Sequence, residues 1–265
     1  MTIRLGAHVD SANPLADAAA LGAEVVQLFL GDPQSWKKPA TLYPAGAAAL
    51  KEAAATDGVG IVVHAPYVIN VASTNNRIRI PSRKLLQQTV TEAAAIGAIG
   101  VVVHGGHVTA DEDPDVGYAN WRKAVDSLQL EVPIFIENTA GGNNAMTRYL
   151  ESIDRLWAGI ASSVNLDRVG FCLDTCHAHA AGLDLAGLVG RVKEITGRVD
   201  VVHCNDSRDL AGSGADRHAN LGRGLADGDA IAQVVKDAGA PTLLETPGGV
   251  AEHVQDLDWL RQRLA

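Results

Sequence analysis

The 265-residue sequence predicts a single α/β domain folded as a (β/α)8 TIM barrel, and three observations lead there. Short β-branched runs alternate with alanine-rich, helically periodic stretches from one end to the other, the pattern of repeated βα units around a parallel sheet. Eight such runs occur, and eight strands at this length favour a closed barrel over the alternative, an open doubly wound sheet. With 47% hydrophobic residues the chain can bury one sizeable core. No segment is low in complexity, and residues 31–44 and 212–228 read as loops rather than linkers, so 1–265 is taken as one domain.

In order, the expected strands are Ile3–Val9, Val25–Leu30, Ile61–His64, Val101–His104, Ile134–Glu137, Val169–Asp174, Val201–His203 and Thr242–Glu245. Helix candidates fill the intervals. In Ser82–Ile96, Ser82 follows Pro81, and Leu85, Leu86, Val90, Ala93 and Ala94 keep helical spacing.

What ends these strands is the chemical signal. His64, His104, Glu137, Asp174, His203 and Glu245 each close one of six consecutive strands, and every one is a metal-ligand residue type. In a parallel barrel those ends share the C-terminal face, so residues scattered over the sequence converge on one pocket. His177, three residues past Asp174, and the pair Asp216 and His218 lie in loops at the same end. One zinc takes about four ligands, so five imidazoles and four carboxylates suit a cluster of two or three ions with a bridging carboxylate. A single strand-end His is more often a hydrogen-bonded structural group, and a single Asp there is often a helix N-cap. Six in succession are not explained that way.

Other features carry less. His8 is a candidate partner behind the ligands, while His107, His179 and His253 lack supporting spacing. Cys172, Cys176 and Cys204 are read as small core residues turned away from the pocket. Their odd number, without a C-x-x-C pair, points away from a disulfide framework or zinc ribbon and towards a reducing cytoplasm. Neither a dinucleotide fingerprint, a P-loop nor a G-x-S-x-G elbow is present, so no nucleotide cofactor is expected. The N-terminus lacks a signal-peptide apolar region and no apolar run approaches the ~18 residues of a membrane span, so a soluble, unprocessed chain is expected. The formal charge of -9 excludes a broadly basic, phosphate-holding surface, so a polyanion partner would need a local positive source.

Several of these stretches resemble the motifs of the endonuclease IV family in its actinobacterial form: His64-Ala65-Pro66-Tyr67-Val68-Ile69-Asn70, Glu137-Asn138-Thr139-Ala140-Gly141, Cys172-Leu173-Asp174-Thr175-Cys176-His177-Ala178, His203-Cys204-Asn205-Asp206-Ser207 and Asp216-Arg217-His218. The resemblance runs from Gly6-Ala7-His8-Val9 to Leu244-Glu245-Thr246, and all nine ligand positions of the family are filled. It implies three zinc ions: one held by His64, His104 and Glu137, a second bridged by Glu137 and bound by Asp174, His203 and Glu245, a third held by His177, Asp216 and His218. Imidazole and carboxylate also accept manganese at such sites.

The activity so implied is cleavage of duplex DNA 5′ to an abasic nucleotide, leaving a 3′-hydroxyl and a 5′-deoxyribose phosphate, with removal of 3′-blocking groups as a related reaction. A metal-bound hydroxide would attack, the other ions would neutralise phosphate oxygens and the leaving alkoxide, and Glu137 and Glu245 would be the catalytic carboxylates. Tyr67 matches the family position that inserts into the duplex. Gln34 departs from the arginine wedge common in this loop, Trp36 follows it closely, and Arg217, with Lys37, Lys38, Arg77 and Arg79, would contact phosphates. The His104-Gly105-Gly106-His107 stretch is shorter than the family's H-P-G-S-H, a departure that bears on His107 and leaves the expectation for His104 unaffected. A cytoplasmic monomer is expected. The rival reading is a metal-dependent sugar isomerase or epimerase on the same barrel, which would have no use for His177, Asp216 and His218.

Overall fold

The computed structural model describes residues 3–265. Eight parallel strands close a barrel: β1 (Leu5–His8), β2 (Val25–Phe29), β3 (Gly60–His64), β4 (Gly100–His104), β5 (Ile134–Glu137), β6 (Val169–Asp174), β7 (Val201–His203) and β10 (Thr242–Leu244). Neighbours in sequence are neighbours in the wall, and β1 pairs with β10 to complete it. Around it run α1 (Pro14–Leu21), α2 (Gly46–Asp57), α3 (Asn76–Ala95), α4 (Pro114–Ser127), α5 (Leu150–Ile160), α6 (Thr175–Ala181), α7 (Leu188–Thr196), α8 (Gly228–Ala238) and α9 (Val250–Leu264). Among the described residues no helix is long and apolar enough to cross a membrane.

The strands alternate with a period of two. Outward residues such as Val26, Leu28, Ile61, Val63, Val101, Val103, Ile134 and Ile136 join the large core beneath the helices. Inward ones form a separate apolar plug of Val25, Val62, Val102, Phe135, Cys172, Val201 and Leu243. Phe135 is the one aromatic in that plug, and the wall makes room for it with glycine: a Cβ on Gly100 would lie 2.4 Å from the Phe135 ring. The next inward position on each of these strands is two residues further on. There stand Gln27, His64, His104, Glu137, Asp174, His203 and Glu245, so a polar ring lies directly on the apolar plug.

Two local features differ from the sequence reading. α3 starts at Asn76, six residues before Ser82, because the Asn75 side chain accepts from the Arg77 N–H and caps a helix that carries Pro81 in its second turn. Residues 212–228 are not all loop: β9 (His218–Ala219) pairs antiparallel with β8 (Asp206–Ser207), a ladder too short to leave a periodic signal. Asp206, buried, accepts from the Gly222, Gly224 and Ala226 amides and so pins the return of this excursion.

Truncating Phe135 to Ala should leave a void in the plug that the glycines around it cannot fill. The expected cost is about 3–5 kcal/mol in a denaturant titration. A loss below about 1 kcal/mol would show that the polar ring, rather than the plug, holds the barrel closed.

Candidate metal centre

Four of the five imidazoles have one nitrogen committed to an oxygen acceptor and the other turned inward. His64 Nδ1 faces the Ala65 carbonyl at 2.8 Å, His177 Nδ1 the Asn138 carbonyl at 2.9 Å, and His218 Nδ1 the Glu245 carbonyl at 3.1 Å. His203 is turned the other way, with Nε2 2.9 Å from Gln27 Oε1. A carbonyl oxygen can only accept, so the nitrogen facing it carries the proton. The opposite nitrogen then presents a lone pair, the arrangement usual for metal-ligating histidines.

The inward nitrogens converge on carboxylates. Glu137, fully buried, places Oε2 3.3 Å from His64 Nε2 and 3.2 Å from His104 Nε2, and Oε1 2.8 Å from His203 Nδ1. Glu245 Oε2 stands 3.3 Å from the same His203 nitrogen. Asp216 Oδ1 lies 3.1 Å from both His177 Nε2 and His218 Nε2. Two sets of donor atoms, His64–His104–Glu137 and Glu137–Asp174–His203–Glu245, each fall within 4.8 Å of one another and share Glu137. A third gathers His177 and His218 with Asp174, and Asp216 spans the two imidazoles.

The donor set fits metal ions. His177 Nε2 and His218 Nε2 are buried and, although close to Asp216, neither is aligned for a hydrogen bond, so both nitrogens lack a protein partner. The donors are all imidazole nitrogen or carboxylate oxygen, the set zinc and manganese take. The fields are mutual. Burial opposes ionisation of Glu137, yet His203 and His104 hold it well below the usual carboxylate range. Burial likewise opposes ionisation of Glu245, but His203 and His64 bring it to about 2. Asp174 goes the other way, raised by burial despite His177 and His218. Burial alone would lower His218; Asp216 and Asp174 lift it to about 9.

All nine residues expected as ligands therefore meet at one end of the barrel. His8 lies behind them, its Nδ1 3.2 Å from Gln27 Nε2, and burial lowers it to about 4, which keeps the ring neutral. His107 is exposed, while His179 and His253 are bonded to the Asp209 and Thr246 carbonyls. Cys204 joins the outer core as expected, but Cys172 does not face away from the pocket. It is two residues before Asp174, which on a strand puts both on the same side, and its sulfur lies within 4.8 Å of the donors of Glu137 and His203. Cys176 sits equally near Asp216 and His218. Burial pushes Cys172 up to about 12 and Cys176 higher still, so both are neutral thiols.

A search for ligand residue types passes over three buried amides. Gln27 bonds His203 and Glu245, the latter at 2.6 Å from Nε2 to Oε1. Asn138 brackets the Asp174 backbone, accepting from its N–H and donating to its carbonyl. Asn205 donates to Asp174 Oδ2 and accepts from the Glu245 N–H. A polar residue at an inward position of an otherwise apolar strand was the available signal for Gln27.

Tyr67 stands at the pocket mouth, 52% exposed. Its ring is stacked near His104 at 5.7 Å and meets His64 and Phe29 edge-on. It separates a cleft of about 270 Å³ over the ligands from one of about 400 Å³ bounded by Asn70, Ile78, His107 and Gly141. Gln34 and Trp36 are exposed in the β2–α2 loop, which the Tyr67 N–H ties down through the Pro33 carbonyl. Arg217 is paired with Asp209 and Arg79 with the Ser73 and Thr74 carbonyls, leaving Lys37, Lys38 and Arg77 as exposed cations of that set.

The fold and this pocket define a xylose isomerase-like TIM barrel, and the family model of that description matches residues 15–263. The chain is 55% identical over 259 residues to the probable endonuclease 4 of Mycobacterium bovis, covering 98% of each, and 56% identical over 242 residues to that of Mycobacterium leprae, covering 91% and 92%. The crystal structure of endonuclease IV from Thermus thermophilus superposes with a TM-score of 0.84 at 30% identity, covering 98% of both chains. A D-tagatose 3-epimerase-like protein, at 20% identity and TM-score 0.78, shares the fold. The chain belongs to the endonuclease IV family.

Zinc analysis of the purified chain should give close to three ions, and Glu137→Ala should lower that number, because one residue serves two donor sets. Unchanged zinc content in Glu137→Ala would remove Glu137 from the bridge.

Proposed function

We propose that this chain is an abasic-site endonuclease of DNA repair, a phosphoric diester hydrolase that cuts duplex DNA 5′ to the abasic nucleotide and leaves a 3′-hydroxyl and a 5′-deoxyribose phosphate. Removal of 3′-blocking groups is the same bond cleavage at a strand end. The observation that carries this reading is the sharing of Glu137 by two donor sets beside a third, a multi-ion phosphodiester site, in a chain 55% identical to named endonucleases. We further propose that it acts as a cytoplasmic monomer.

Three zinc ions, with manganese as an alternative, would be held by the groups described, and would supply positive charge against phosphate oxygens and acidify water. The protein's own part is orientation. Glu137 fixes the spacing between two ion positions. Glu245, anchored through Oε1 by Gln27, turns Oε2 into the pocket, where it can hold the attacking water and take its proton. No side-chain nucleophile is required. Ions held there would also supply the local positive charge that an acidic chain needs for a polyanion.

Recognition falls to the rim. Tyr67, half-exposed at the mouth, would fill the gap left by an extruded abasic nucleotide, with Gln34 and Trp36 contributing from the neighbouring loop and exposed cations meeting the phosphates. Arg217, held by Asp209, would need to exchange partners to reach DNA. The sugar isomerase reading leaves the His177–Asp216–His218 group without a task.

Three variants separate these roles. Glu137→Ala should lower cleavage of a synthetic abasic duplex by several orders of magnitude; near wild-type turnover would refute the shared-carboxylate mechanism. Tyr67→Ala should weaken abasic-duplex binding by ~1–3 kcal/mol of stacking at fixed salt with zinc content unchanged. Unaltered affinity returns Tyr67 to a packing role. Asp216→Ala combined with His218→Ala should release one ion, keep binding near wild type and slow cleavage at least about a hundredfold, as loss of ~3–4 kcal/mol of transition-state stabilisation requires. Undiminished cleavage would make that group structural, and sugar isomerisation by the parent chain would favour the rival.

A further inference from the structure

We infer that Gln27 is a positioning residue that fixes how His203 and Glu245 present themselves to the ion position they share with Glu137 and Asp174. Gln27 is fully buried on β2, and every polar group of its amide is used. Oε1 accepts from His203 Nε2, one Nε2 hydrogen goes to Glu245 Oε1 at 2.6 Å, and the other to His8 Nδ1 at 3.2 Å. The amide has one workable orientation. Reversed, it would set its oxygen against the Glu245 carboxylate, a repulsive contact in a buried site.

That orientation decides two things at once. The proton of His203 is placed on Nε2, so Nδ1 faces Glu137 Oε1 at 2.8 Å and Glu245 Oε2 at 3.3 Å. His64, His177 and His218 obtain the same result from backbone carbonyls. His203 alone of these four depends on a side chain, and so on one substitutable residue. Glu245 has one oxygen held by Gln27 and the other directed at the pocket. The amide thus reaches two of the four residues in one donor set and none of His64, His104 and Glu137 in the other.

The inference rests on the metal-centre reading, and its test is metal retention rather than cleavage. The full chain and Gln27→Met, which keeps length and volume but has no amide, are loaded with zinc and titrated with a chromophoric chelator, with thermal unfolding of the chelated proteins in parallel. Outer partners of metal ligands typically contribute about 10–100-fold in affinity, so one ion per chain should leave the variant at roughly 10–100-fold lower chelator concentration while the others leave as in the parent. Gln27→Glu, a second variant of the same size, places a carboxylate beside Glu245 and should show the same selective loss. Parent-like release of every ion from both variants overturns the inference while leaving the metal centre intact. So does release of all ions together with a lowered unfolding temperature, which is the result of a purely structural role. A parent chain that takes up no zinc overturns the metal-centre reading and this inference with it.

Discussion

The wide end of the barrel is organised by the burial of one carboxylate. Glu137 has no exposed surface, and an ionised group in that position costs several kcal/mol unless it is surrounded by compensating charge or donors. Four imidazoles approach it, from β3, β4, β7 and α6, the last being His177, whose Nδ1 lies 3.4 Å from Oε1. The second layer follows from the first: the Ala65 and Asn138 carbonyls and the Gln27 amide orient His64, His177 and His203 in turn.

The barrel supplies this arrangement through register. Because an inward position recurs every second residue, a strand whose plug residue is Val62, Val102 or Phe135 delivers His64, His104 or Glu137 to the layer above. A one-residue slip would exchange that polar layer for the outward set that packs under the helices, so the pairing that buries the core also assembles the site. That is why so much could be read from the sequence. The apolar runs located the strands, their polar last residues located the pocket, and parallel topology brought distant positions together. Strand ends agree with the sequence reading exactly at β5, β6 and β7 and to within two residues elsewhere.

What escaped the sequence reading escaped for identifiable reasons. Gln27, Asn138 and Asn205 are not ligand types, and their importance arises only from where their amides end up. The β8–β9 ladder has two residues per strand, below the length at which alternation can be seen. Pro81 is a helix breaker in isolation, but a cap at Asn75 lets the helix begin ahead of it. Cys172 shows the reverse error, since the alternation that placed Asp174 in the pocket also places the thiol there.

Rigidity and exposure are divided in the same way at the rim. The ligands are fixed by wall strands and buried hydrogen bonds, whereas Tyr67 is half-exposed, yet its ring packs on His64 and His104 and on Phe29, which in turn touches His8. On the proposed function this aromatic column couples recognition to chemistry. Tyr67 packs on the two imidazoles of one donor set, and its backbone N–H bonds the Pro33 carbonyl in the loop bearing Gln34 and Trp36. An acidic chain gains little long-range attraction for DNA, because exposed charges more than about 8–10 Å apart are largely screened at physiological salt. On the proposed function, contact at the rim and charge inside the cleft would then act together, and Tyr67, packed on His64 and His104, stands where the two meet.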